Sequence, residues 1–404
     1  MISNNSDFEI FKNLLFASFR SDDLKIYLDN SATSYPKPEC VYDAVNVYMR
    51  ENGASPGRGN YANAMASDKL VYETRKTIAK LLGAKKPSEI VFTSNATEAI
   101  NIVLKGYLKN GDGVLTSNIE HNAMWRPLKN LENNRGVQIS YFSVAKDGKV
   151  DLDEIADKLT ENIKLVAFVH GSNVLGNIIP VAEISKLAHS KNIPVLIDAS
   201  QTAGAYPINV IEDGIDFLAF TGHKSLLGPT GTGGFYIRSG LQLDTLKEGG
   251  TGSMAKSPFQ PELPPDRFEA GTMNIFGIAG LKAAVDYIQD IGVSNILSHE
   301  RWLLDRLLCG LKEIPDIEIY GSMNPDEKLG LVSFNIGNND PYKIASKLDE
   351  EHGIMVRAGL HCAPQAHKII GTDEKGAVRA SVGFFNTEEH IDLLLETLQN
   401  NKNK

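Results

Sequence analysis

Lys224 and Asp198 are the residues that first define a chemistry for this chain. Lys224 follows the apolar run of residues 217–220 through Thr221-Gly222-His223, so it arrives at the carboxyl end of a strand, where open α/β sheets bind their ligands. A lone lysine is ordinarily a solvated surface residue. Asp198, 26 residues upstream, ends a second apolar run, residues 193–197. A carboxylate at the end of a buried strand is costly unless a cationic or protonated group meets it. A lysine able to form an imine, together with an acid on a pyridinium nitrogen, is what a protein supplies to pyridoxal phosphate.

Such a site also needs a phosphate cradle, a group against the ring and an anchor for the substrate carboxylate. At Ser94-Asn95-Ala96-Thr97 a strand gives way to a helix, and the free N–H groups and positive end of a helix hold phosphate; Thr97 reads equally well as an ordinary N-cap. His121, in Asn118-Ile119-Glu120-His121-Asn122, follows another strand and offers a flat ring. Asn173, in Ser172-Asn173-Val174, offers a side-chain amide in the same layer, although an isolated Asn in a loop is normally turn chemistry. The turn-rich run Gly228-Pro229-Thr230-Gly231-Thr232-Gly233-Gly234 lacks the Gly-Lys-Ser/Thr ending of a nucleotide loop.

The elements that must position these residues alternate. Strands are expected at residues 25–30, 90–93, 113–116, 137–142, 164–169, 193–198 and 217–220, separated by helical patterns at about 40–49, 65–82, 96–109, 123–131, 152–159 and 181–190. This implies βαβ units and a mainly parallel sheet covered by helices on both faces. The expected organisation is an N-terminal arm over residues 1–24, a large cofactor-binding domain over 25–274 whose first segment contributes to the smaller domain, and a small α+β C-terminal domain over 275–404. That last part reads as helices at 275–291, 294–314, 342–351 and 387–398 with strands at 317–320 and 331–334.

Composition bounds the function. The chain has 404 residues, is 42% hydrophobic and carries a formal charge of −9, which argues against nucleic acid and anionic membranes, since both demand a positive footprint. No run approaches the length of a membrane span, and no signal peptide is read. Three widely spaced cysteines, Cys40, Cys309 and Cys362, fit neither a disulfide framework nor a CxxC metal site, so a reducing cytoplasm is the expected compartment.

The ordered set Leu28-Asp29-Asn30-Ser31-Ala32-Thr33, Asn95-Ala96-Thr97-Glu98-Ala99-Ile100-Asn101, Glu120-His121-Asn122, Ser172-Asn173-Val174-Leu175-Gly176, Asp198-Ala199-Ser200-Gln201, Thr221-Gly222-His223-Lys224, Phe268-Glu269-Ala270-Gly271-Thr272 and Arg357-Ala358-Gly359-Leu360-His361-Cys362-Ala363 resembles the cysteine desulfurases of the class V aminotransferase fold. The similarity runs from about residue 26 to the last helix. It implies a fold type I pyridoxal phosphate enzyme, homodimeric, with the site at the subunit interface. It further implies Lys224 as the Schiff-base lysine, Asp198 on the pyridine nitrogen, Gln201 near the ring hydroxyl and His121 against the ring. Ala96, Thr97, Thr221 and His223 would hold the phosphate, Thr272 would reach it from the neighbouring subunit, and Asn173 would lie near substrate. The pattern departs from many relatives at Leu360, where they carry a second histidine, and at Ser55-Pro56-Gly57-Arg58-Gly59-Asn60, which lacks a histidine that some carry.

Cys362 separates desulfurase from transaminase. It follows Arg357 by five residues in a turn-rich stretch, and a nearby fixed cation lowers a thiol's pKa; the bland alternative is a surface cysteine without a role. Arg357 and Arg379 are the candidates for pairing with the substrate carboxylate. Cys40 and Cys309 lie in helical patterns and are expected to be inert packing residues. His361, Cys362 and His367 lack the fourth ligand of a metal site. The expected reaction is conversion of L-cysteine to L-alanine, leaving a persulfide on Cys362 for delivery to an acceptor protein, with iron–sulfur assembly, tRNA thiolation and a dedicated biosynthesis all open. A class V aminotransferase and a selenocysteine lyase remain the alternatives on the same fold, and a sulfur-carrier scaffold with a silent site the alternative of another class.

Overall fold

The computed structural model describes residues 25–400 apart from Arg58; the expected arm over residues 1–24 and residues 401–404 lie outside the described part. The larger layer is a seven-stranded sheet in the order β2-β8-β7-β6-β5-β3-β4. Its strands are β2 (Ile90–Thr93), β3 (Gly113–Ser117), β4 (Gln138–Phe142), β5 (Ile163–Val169), β6 (Val195–Asp198), β7 (Phe217–Thr221) and β8 (Gly233–Ile237). From β7 to β4 every pairing is parallel, as the alternation of strands and helices implies. β6 and β7 are buried at every residue, which is why they read as unbroken apolar runs rather than alternating ones.

The sequence patterns do not anticipate β8, which lies antiparallel between β7 and β2. Its glycines look like a turn, but they serve close approach: a Cβ on Gly233 would come 2.6 Å from the Asn95 Cα, and one on Gly234 would come 2.3 Å from the Val91 carbonyl oxygen. Glycine within a strand commonly marks such an approach. Helices cover both faces, and their apolar sides fill the two cores against the sheet with residues such as Phe168, Ile197, Phe220 and Leu281 on one side and Leu104, Leu128, Phe217 and Phe235 on the other. Each such buried side chain contributes roughly 1.5–3 kcal/mol. The helix Ile275–Ile291 shares the first of these cores through Ile278, Leu281, Val285 and Ile288.

A second, four-stranded antiparallel sheet has the order β12-β13-β10-β9, formed by β9 (Ile317–Tyr320), β10 (Leu331–Ile336), β12 (Arg357–Gly359) and β13 (Ala377–Ser381). Leu303, Leu307, Phe334, Val378 and Leu394 build its separate core with the helices Val293–Lys312, Pro341–His352 and Glu388–Asn400. The first strand, β1 (Ile26–Tyr27), joins this part of the molecule, pairing in parallel with β11 (Ile354–Met355). Just past it, Asp29 bridges to Ser381. The chain's beginning is thereby tied to its end, and the stretch that follows Asp29 lies over the carboxyl edge of the large sheet, where Ser34 donates to the carbonyl oxygen of Lys224 at 2.8 Å.

Candidate active site

β2, β3, β5, β6 and β7 all end at the same edge of the sheet, and the loops that follow them meet around one cavity of about 180 Å³. Thr97, His121, Asn173, Asp198, Gln201, Thr221, His223 and Lys224 line it. The reason is topological: parallel strands place the residues that follow them side by side, however far apart these are in sequence. Glu120 secures this edge from beneath, because its buried carboxyl accepts from the Ser117 hydroxyl at the end of β3 and from the Val169 amide at the end of β5. Burial raises Glu120 to about 8.

Each cavity residue is oriented by a local contact. Ser200 donates through both its amide and its hydroxyl to Oδ1 of Asp198, at 2.9 and 2.5 Å, which leaves the second carboxylate oxygen for a donor in the cavity. His121 is the N-cap of the helix Asn122–Arg135, its Nδ1 accepting from the Ala123 amide at 3.0 Å. Burial and then the neighbouring Lys224 amine hold His121 down at about 4, so the ring is neutral. Gln201 donates to the Ser31 carbonyl at 3.0 Å.

The alternative reading of Thr97 as the cap of its helix does not hold: Asn95 is the cap, its side chain accepting from the Glu98 amide at 2.9 Å. Thr97 stands instead in the first turn, where the amides of Ala96 and Thr97 have no intrahelical acceptor. Two further buried atoms, Thr221 Oγ1 and His223 Nδ1, have no hydrogen-bond partner among the described residues. Burial, then Lys224, then Lys37, hold His223 at about 4. Buried polar atoms of this kind are expensive unless something meets them. A helix start, an unpartnered hydroxyl and an unpartnered imidazole nitrogen suit a phosphate.

Lys224 is half-buried on this edge. Burial lowers its amine from 10.5 to about 8 against the opposing pull of Asp198, and the Arg379 and Arg357 cations lower it further. A lysine of depressed pKa, a carboxylate with one free oxygen and an anion cradle together match the lysine, ring acid and phosphate site of pyridoxal phosphate. The residues present therefore fit that cofactor.

The second sheet delivers the remaining candidates to the rim. Arg357 and Arg379 stand directly opposite each other on β12 and β13, a pairing of like charges that is unfavourable by itself. Arg379 is almost fully buried. It donates to Asp29 at 2.6 Å and to the Asn173 carbonyl at 3.1 Å, and its Nε has no partner among the described residues. Two adjacent cations answered by one carboxylate form a natural anchor for another. Cys362 follows in a loop, itself exposed, with its Sγ 3.9 Å from Nη2 of Arg357. Asn122 donates to the Cys362 carbonyl at 2.8 Å and Asn173 to that of His361 at 2.7 Å, so the loop is fastened to two cavity-edge residues. The Cys362 charge is close enough to raise Lys224.

Thr272 lies elsewhere, in a recess with Arg75, Tyr72, Thr251 and Glu269 rather than in the Lys224 cavity. Cys40 and Cys309 correct an expectation. Both are in helices, but both are exposed and pack no core: Cys309 Sγ lies 3.9 Å from Asp305 on its own helix and Cys40 Sγ 3.8 Å from the Ala283 carbonyl oxygen. His361 and His367 are hydrogen-bonded to each other, and no group of three potential ligands among the described residues is placed to hold a metal. Asp29 and Ser200 are site residues to which the sequence assigned no role. Asp29 carried a usable signal, being a carboxylate just past a short apolar strand like Asp198.

The profile of the Aminotransferase class-V family matches residues 26–394. A probable cysteine desulfurase of Methanothermobacter thermautotrophicus is 40% identical over 380 residues, covering 93% of this chain and 94% of the relative. A cysteine desulfurase of Cronobacter sakazakii is 36% identical over 382 residues, 92% of each chain. Among solved structures, the apo cysteine desulfurase of Thermococcus onnurineus NA1 superposes with a TM-score of 0.88 at 36% identity, over 93% of this chain and 94% of its own. The cysteine desulfurase CsdA of Escherichia coli superposes with a TM-score of 0.87 at 28% identity, over 100% and 99%.

Proposed function

The chain belongs to the class-V aminotransferase family and, within it, to the cysteine desulfurases, and from that premise we propose that it uses pyridoxal phosphate to turn L-cysteine into L-alanine while Cys362 takes the sulfur as a persulfide. When bound, the cofactor supplies an aldehyde that amines can engage and a sink for negative charge developing at the substrate Cα. The residues supply position and protons. The Ala96 and Thr97 amides, Thr221 and His223 would hold the phosphate, Asp198 would keep a proton on the ring nitrogen, Gln201 would meet the ring hydroxyl and His121 would pack on the ring. Arg379 and Arg357 take the substrate carboxylate beside Asn173. Lys224, with an amine near 8, is available unprotonated near neutral pH to accept the Cα proton.

Cys362 then attacks the substrate sulfur. An S–S bond forms as the Cβ–S bond breaks, the carbon keeps that electron pair and takes a proton, and the product is alanine. The observation that carries this reading is the fastened loop that sets the Cys362 thiol beside Arg357 and within electrostatic reach of Lys224. The thiolate is the form of a cysteine that attacks.

The test is alanine formation from cysteine without any keto-acid acceptor. Wild type should turn over, whereas Cys362→Ala and Cys362→Ser should load cofactor, bind cysteine and lose at least about a hundredfold in alanine formation. Wild-type turnover in Cys362→Ala would favour a lyase or transaminase instead. The proposal extends to a homodimer in which Thr272 reaches the neighbour's phosphate, and to a sulfur-acceptor protein that meets the exposed Cys362. No helix among the described residues is long and apolar enough to cross a membrane, and three free cysteines suit a reducing cytoplasm.

A further inference from the structure

His361 and Cys362 both hold left-handed backbone, with φ of 49° and 56°, a conformation that non-glycine residues keep only where the surroundings over-determine it. Behind them runs a buried chain of side chains. His361 Nε2 lies 3.4 Å from the Arg357 carbonyl oxygen, His361 Nδ1 lies 3.1 Å from His367 Nε2, and His367 Nδ1 lies 2.7 Å from Thr372 Oγ1. The two rings are stacked, 5.3 Å apart at 24°, and only 3% and 0% exposed. Burial keeps both well below the ordinary histidine range, at about 2 and about 4, so both are neutral.

The far end of the chain dictates its direction. A carbonyl can only accept, so the His361 proton is on Nε2 and its Nδ1 is an acceptor. His367 therefore donates from Nε2, which leaves its own Nδ1 to accept, and Thr372 must donate its hydroxyl proton. The polarity runs one way, from the Thr372 hydroxyl through His367 and His361 to the carbonyl of Arg357, the residue whose guanidinium lies beside the Cys362 sulfur.

We propose that Thr372 and His367 are positioning residues for sulfur transfer, presenting the Cys362 thiol by fixing the His361 ring and through it the loop fastened to Asn173 and Asn122. This rests on Cys362 being the thiol that receives sulfur. His367 and Thr372 touch neither the cavity nor the thiol. Their action is on geometry, and a displacement of about 1 Å at a reacting atom can cost about a hundredfold in rate.

The experiment uses cofactor-loaded enzyme carrying Thr372→Val, Thr372→Ser, His367→Leu, His367→Gln or Cys362→Ala. Three readouts are taken: alanine formed in a single turnover, the cysteine concentration that half-saturates the spectral change, and the alkylation rate of each cysteine by peptide mass spectrometry. Cys40 and Cys309, both exposed, serve as internal references for general loosening. Thr372→Val and His367→Leu should slow alanine formation about ten- to hundredfold, leave half-saturation unchanged and alter alkylation at Cys362 alone. Thr372→Ser keeps the hydroxyl donor and His367→Gln keeps a donor and an acceptor in the same order, so both should recover most of the rate. If Thr372→Val does not fold, the comparison of His367→Gln with His367→Leu decides.

Wild-type rates in Thr372→Val and His367→Leu, with Cys362→Ala inactive, would overturn the positioning role alone. So would equal losses in Thr372→Ser and Thr372→Val, or parallel changes in alkylation at all three cysteines. Wild-type turnover in Cys362→Ala would instead overturn the persulfide reading, and the positioning role with it.

Discussion

Lys224 shows how burial at one residue becomes reactivity. Its amine falls from 10.5 to about 8 because burial penalises the ammonium more than Asp198 favours it. The neutral amine is the form that attacks an aldehyde, so at pH 7 the protein holds far more of it than an exposed lysine would. The sign is clear: protons compete with the reaction below the folded pKa. Cofactor uptake by the apoprotein, followed by its visible absorbance, should rise with pH and level off just above about 8; a profile still climbing steeply at pH 10 would refute the depressed lysine. Lys224→Ala should show no such band at any pH while remaining folded. At this scale the sequence was highly legible, since Lys224, Asp198, His121 and Asn173 each follow an apolar strand. Thr97 was ambiguous because a cap and a phosphate ligand call for the same residue types, and the Asn95 side chain shows only that Thr97 is not the cap. The Asp29 contact to Arg379 spans 350 residues, and no local pattern encodes such a partner.

The strands and helices were legible in proportion to how much of their burial was local. Buried parallel strands are continuous apolar runs, so β5, β6 and β7 stood out, whereas β8 was hidden by glycines that its neighbours require. β12 has only three residues and opens with Arg357, so neither periodicity nor composition marks it as a strand. Another element-level contact was equally hidden: the buried pair between Arg75, on the helix Ala62–Leu81, and Glu269, just before Thr272. The Glu269 carboxylate takes two bonds from the Arg75 guanidinium and one from the Phe92 amide at 2.6 Å, and Arg75 lies 4.6 Å over the Phe92 ring. Removing one partner strands the other charge out of water, so Glu269→Ala should lose about 3–5 kcal/mol in denaturant unfolding. An apolar replacement of both, Arg75→Met with Glu269→Leu, should recover most of that loss. If Glu269→Ala lost less than about 1 kcal/mol, the pair would not be what holds the Thr272 segment to the large sheet.

At the scale of the whole molecule, the unfinished feature is the face around Thr272. Its recess is lined by Tyr72, Thr251, Gly252 and Ser253, and large apolar side chains are exposed on the helix of Tyr72 and along the segment leading to Thr272: Tyr72 by 55%, Met65 by 61%, Met254 by 63%, Phe259 by 80% and Leu263 by 76%. Isolated exposed apolar residues are unremarkable, but a contiguous group of them would suit the association surface of the proposed dimer. In the proposed dimer this face is covered by a second copy, and Thr272 lies within reach of that copy's Ala96–Thr97 helix start, Thr221 and His223. A ligand held by groups from both chains binds the dimer better than the monomer, so cofactor and assembly must strengthen each other by mass action. Sedimentation across a dilution series should therefore give a tighter dimer for the cofactor-loaded protein than for the apoprotein. Phe259→Asp with Leu263→Asp should weaken assembly and cofactor retention together, although neither residue lines the Lys224 cavity. Thr272→Val should weaken cofactor retention with less effect on the apoprotein dimer, because it removes a hydroxyl rather than apolar area. A cofactor-loaded, fully active monomer would break the link and place the phosphate wholly within one chain.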